Sequence, residues 1–127
     1  MVSTLKYNKV WNKGLDLLGI FNVDTRIEAK VERSEEFLRW AVAMLAPDHN
    51  VYLAMVDSEE RFGCTYPLFD ESQIIPEGHM VLLSMPNLFV LTHEIAHILD
   101  YERKPSDNHD STFMSIWANL LNKLYAG

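Results

Sequence analysis

The chain has 127 residues, 48% hydrophobic and 11% aromatic, a composition that excludes a disordered polymer and predicts one globular domain over residues 1–127. Its net charge is −7, and its 11 Lys and Arg are scattered, with no basic run longer than Arg103-Lys104. That argues against direct nucleic-acid binding, which needs a cationic face to displace counterions from phosphates.

Cys64 is the single cysteine, so no intramolecular disulfide forms and a reducing compartment is expected. The opening residues have no apolar h-region. The longest apolar stretch, residues 80–91, is interrupted by Ser84, Pro86 and Asn87 and is too short to span a membrane. A cytoplasmic, non-membrane protein is the expectation.

In chain order, Leu5, Val10, Trp11, Leu15 and Leu18 predict a loosely helical first segment ending near Gly14 or Gly19. Residues 26–32 alternate polar and apolar as a strand does, although Thr25 and Glu28 also match a helix capping box. Ser34 is placed to cap a helix reaching Ala46, with Phe37, Leu38, Val42 and Leu45 inward and Pro47 as its stop. Asp48-His49-Asn50 reads as a turn. Residues 51–56 form a nearly continuous apolar run, which predicts a central strand. Two more strands are expected over residues 62–69 and 80–84, the second leading directly into a helix.

That helix carries His93-Glu94-Ile95-Ala96-His97, an H-E-x-x-H pattern inside an apolar run. At about 100° per residue, His93 and His97 differ by about 40° around the helix and lie one turn apart, so both imidazoles can reach one point. Zn²⁺ suits that point, because it accepts neutral imidazole nitrogen in a tetrahedral shell. Glu94 lies beside the pair and can meet a water on the metal without being a ligand. Ile95, Ala96, Ile98 and Leu99 are expected on the buried face, with the polar residues on another.

A catalytic zinc needs a third protein ligand and an open fourth position. His109 is the candidate. It follows a polar stretch containing Pro105 and precedes a second helix, marked by the stripe Phe113, Ile116, Trp117, Leu120, Leu121 and Leu124. The rivals are acidic. Asp100 lies a turn beyond His97, better placed to support a ligand than to be one, while Asp107 and Asp110 read as caps for the following helix. His49 and His79 read as structural, Cys64 as a small buried residue, and Tyr66 and Tyr101 as ordinary tyrosines rather than oxyanion donors.

His93-Glu94-x-x-His97, a short loop, and His109-Asp110-Ser111-Thr112-Phe113 together resemble the SprT-like zincin metallopeptidases, the group that includes the Spartan proteases. The match is carried by His93, Glu94, His97, His109 and Phe113. It departs at Asp110, where the family usually has a small residue. The resemblance covers residues 81–117 closely, and one cysteine leaves no four-cysteine zinc ribbon of the kind many members carry.

The resemblance implies an α+β zincin-like fold, a small twisted mixed sheet packed against the H-E-x-x-H helix and a following helix. It also implies that Phe62-Gly63-Cys64-Thr65-Tyr66 is an antiparallel edge strand lining the cleft, open to an extended peptide. The function expected is that of a zinc-dependent endopeptidase with one Zn²⁺ on His93, His97 and His109, Glu94 as general base, and a protein or peptide as substrate. The alternative is a zinc-binding interaction module with little turnover.

Overall fold

A computed structural model describes residues 32–57, 62–69, 71, 76–101 and 109–125. The expected first helix over residues 5–18, residues 26–31 of the alternating segment, and Asp107 lie outside the described residues. Among those described, the order is α1 (Glu35–Leu45), β1 (Val51–Met55), β2 (Gly63–Leu68), β3 (Gly78–Leu83), α2 (Leu88–Asp100) and α3 (Ser111–Tyr125).

Helix α1 begins as its sequence dictates. The Ser34 hydroxyl accepts from the Phe37 N–H at 3.1 Å, and Glu35 and Glu36 sit at the positive end of the helix dipole. Leu38, Ala41, Val42 and Leu45 are buried, and the helix ends at Ala46, just before Pro47. Phe37 is half-buried, its ring 5.4 Å from that of Trp40. Ahead of the helix, the Arg33 N–H donates to the Pro86 carbonyl at 2.8 Å, tying this end to the turn before α2.

The described strands form a mixed sheet in the order β1-β3-β2. β1 runs parallel to β3 with Leu53 opposite Val81, and β2 runs antiparallel to β3 with Thr65 opposite the same residue. The expectation that residues 51–56 form the central strand is therefore corrected: among the described residues β3 lies in the middle. A short apolar run cannot by itself distinguish a middle strand from a flanking one. Here Leu53 is buried while the adjacent Tyr52 is 47% exposed, so β1 has one covered face only. In β3, Val81 and Leu83 are buried and Met80 and Leu82 half-buried, the period of two that a sheet with one core face requires.

Helix α2 is the centre of the molecule. It packs on β2 and β3, α1 lies against it and against β1, and α3 packs against it in turn. Asn87 starts it, the buried side-chain oxygen accepting from the Val90 N–H at 2.8 Å. The one-sided burial expected for α2 is also corrected. Thr92, His93, Glu94 and Asp100 are buried together with the apolar residues, because α3 and β2 cover the polar positions. Phe89, Phe113 and Trp117 have no exposed surface; truncating such a side chain to Ala typically costs about 3–5 kcal/mol.

Candidate metal centre

α2 supplies two imidazoles, and His109, the residue before the Asp110 cap of α3, supplies the third. Asp110 caps α3 in two ways: its carboxylate accepts from the Phe113 N–H at 3.0 Å, and its carbonyl accepts from the Met114 N–H at 3.0 Å. His109 is thereby fixed at the mouth of the helix. Phe113, one turn in, packs its ring against all three histidines, with centroids 5.2 Å from His93, 4.5 Å from His97 and 4.8 Å from His109.

The three Nε2 atoms form a nearly equilateral triangle. His93 to His97 is 3.2 Å, His93 to His109 is 3.2 Å, and His97 to His109 is 3.1 Å. Nitrogens this close can share at most one proton between them, since two N–H bonds aimed into the same space repel. Three inward lone pairs also repel unless a cation lies among them. Among the described residues this is the cluster whose ligand atoms converge closely enough to hold a metal ion. His93 is buried and His97 and His109 are half-buried, so the triangle is closed on one side and reachable on the other.

Burial holds the His93 pKa well below its ordinary 6.5, and the neighbouring His97 and His109 push it the same way. Its ring is neutral near pH 7, the form that has a lone pair to donate. If that lone pair is on Nε2, the ring proton is on Nδ1, and Nδ1 is buried without a hydrogen-bond partner. The nearest ring is that of Trp117, centroid 4.7 Å away and nearly perpendicular. Trp117 is itself fixed, its indole N–H donating to the Thr92 hydroxyl at 2.9 Å, which donates to the Phe89 carbonyl at 3.0 Å. His93 is thus oriented by aromatic packing where a ligand histidine usually donates to a carboxylate or carbonyl.

No family model, curated protein or solved structure matches this chain.

Glu94 is 4% exposed and turns toward β2, where the Thr65 hydroxyl is 2.6 Å from its Oε1. Thr65 had no sequence signal: it is 29 positions from Glu94, and only the packing of a strand on a helix brings the two together. Of the acidic rivals, the two among the described residues, Asp100 and Asp110, are not in the ligand cluster. Asp110 is a cap, as expected, and Asp100 is buried at the end of α2. Tyr101 stands edge-on to His79 at 5.4 Å, and Tyr66 is 42% exposed on β2. Cys64, expected to be buried, is half-exposed because β2 flanks the described sheet. Among the described residues no helix is long and apolar enough to cross a membrane.

Proposed function

We propose that this protein is a zinc-dependent metallopeptidase of SprT-like, zincin type, with His93, His97 and His109 as ligands and Glu94 as general base. The observation that carries this reading is the Nε2 triangle with sides of 3.1–3.2 Å. Two imidazole nitrogens at about 2.0–2.1 Å from a tetrahedral ion lie about 3.3–3.4 Å apart, so the donors need move only a few tenths of an ångström. An all-imidazole set favours zinc and its first-row neighbours over Mg²⁺ or Ca²⁺, which prefer oxygen. Three ligands in place of four leave one position for chemistry.

Zinc, when bound, lowers the pKa of water and polarises a carbonyl. The chain's own residues do the rest. Glu94 accepts a proton from the attacking water on a carboxylate oxygen and returns it to the leaving amine nitrogen. His93, held by Trp117, and His109, held by the capped end of α3, keep the donor triangle in register. Among the described strands β2 pairs with β3, an arrangement that fits β2 as the strand to which an extended peptide would add main chain to main chain.

Glu94→Gln separates metal binding from turnover. Gln keeps the shape of Glu but takes no proton at neutral pH. Zinc content and folding should match wild type, while cleavage of an unstructured protein substrate falls by about 10²–10⁴. If zinc-loaded wild type cleaves nothing in a broad substrate panel, and a partner protein binds wild type and Glu94→Gln equally, the reading gives way to a zinc-binding interaction module.

A further inference from the structure

β2 presents two residues of one face to the same side chain. Gly63 and Thr65 are two apart, so they point to the same side of the strand, and both meet Glu94. A Cβ built at Gly63 would stand 2.8 Å from Val90 Cγ1, 3.0 Å from Glu94 Oε2 and 3.1 Å from Glu94 Cγ. Real Cβ atoms are not found at the first of these distances. The absence of a side chain at position 63 is what lets β2 lie this close to α2. At that separation the Thr65 hydroxyl, 3.3 Å from the Glu94 carbonyl, comes to 2.6 Å from Oε1. A hydroxyl has one proton to give, and the shorter contact, in the range of a charge-assisted O–H···O⁻ bond, takes it.

We infer that Gly63 and Thr65 form a clamp that orients the Glu94 carboxylate: Thr65 fixes one oxygen, and Gly63 leaves the room that the strand and the other oxygen need. Thr65 is a positioning residue that acts through Glu94. A glutamate side chain has three rotatable bonds, and a base that must meet both an attacking water and a leaving amine works from a narrow range of them. Thr is suited to the task because branching at Cβ restricts χ1, so the strand backbone sets the direction of its hydroxyl. The consequence for turnover rests on the metallopeptidase reading, whereas the clamp itself is a property of the fold.

Thr65→Val keeps the shape and deletes the hydroxyl; Thr65→Ser keeps the hydroxyl. In zinc-loaded full-length protein, Thr65→Val should lower kcat by about tenfold or more with KM and zinc affinity unchanged, and Thr65→Ser should restore most of it. The ¹³C resonance of the Glu94 carboxyl carbon, read in the same samples, should move in Thr65→Val and stay near its wild-type position in Thr65→Ser. Thr65→Ala gives the same comparison if the valine variant does not fold. Loss of zinc affinity in parallel with kcat, or failure of serine to restore turnover, assigns Thr65 to the fold alone and overturns the inference. An unmoved carboxyl resonance in Thr65→Val overturns it as well. If wild type is inactive, the peptidase reading falls, and the resonance alone decides the clamp.

Discussion

The molecule has two groups of histidines, and burial does not distinguish them. His79 is buried like His93, and its pKa is lowered too, though not as far, first by burial and then by His49. His79 packs edge-on against Tyr101, while His49 lines an open cleft of about 350 Å³ with Arg39, Pro47 and Asn50, its Nδ1 without a hydrogen bond. His93, His97 and His109 instead aim three like atoms at one another. Convergence, not desolvation, marks a metal centre. A histidine that is only buried gains by becoming neutral; three that converge also offer their nitrogens to a single shared cation.

The largest effect that tests this contrast is metal loss. Purified protein supplied with zinc should carry about one ion per chain, and His97→Ala should leave almost none, because two nitrogens hold zinc far more weakly than three. His79→Ala should retain the full complement. Elemental analysis of the three proteins decides it, and equal loss from His79→Ala would erase the distinction between the groups. Next in size is His109→Ala, for which competition with a chelating dye should show affinity at least tenfold weaker, an effect on the order of 1.4 kcal/mol.

A pH titration sharpens the contrast from the other side. In metal-free protein, His79 and His93 both have folded-state pKa values below 6.5. Below about pH 6.5 the unfolded chain therefore binds protons that the fold refuses. Stability is full above that pH and declines as the pH falls, by at most about 1.4 kcal/mol per pH unit for each histidine. Urea midpoints should show His79→Gln with a shallower acid decline than wild type. Identical declines would remove His79 from the account. The smallest effect expected is that of Asp110→Ala, about 1 kcal/mol of stability through the lost cap, with zinc affinity changed far less than in His109→Ala.

What could be read from the sequence were features that local spacing controls. His93 and His97 share a helix, so the 3.6-residue repeat is enough to align them, and Ser34 and Asp110 announce caps three residues before the N–H groups they accept from. His109 was within reach because a Pro-containing stretch between two apolar stripes implies a reversal. The rest depended on packing between distant segments. Thr65 meets Glu94 across 29 positions, and Trp117 meets Thr92 across 25. Neither pair follows from periodicity, and both require the sheet order and the placement of α3. The burial of the polar side of α2 was missed for the same reason, since an amphipathic pattern does not reveal that a second helix will cover the polar stripe.

Two of the converging histidines belong to α2 and the third to the segment just before α3, and that division would tie any bound metal to folding. An unfolded chain does not hold residues 93, 97 and 109 together, so any ion that binds the triangle binds the native state in preference. By mass action, free metal at one hundred times its dissociation constant adds about 2.7 kcal/mol to the stability of the fold. The added stability enters where α2 meets the start of α3. α1 is held instead by its buried face, Leu38, Ala41, Val42 and Leu45, and by the Arg39 guanidinium donating to the Leu53 carbonyl, so a chelator should loosen one end of this protein before the other.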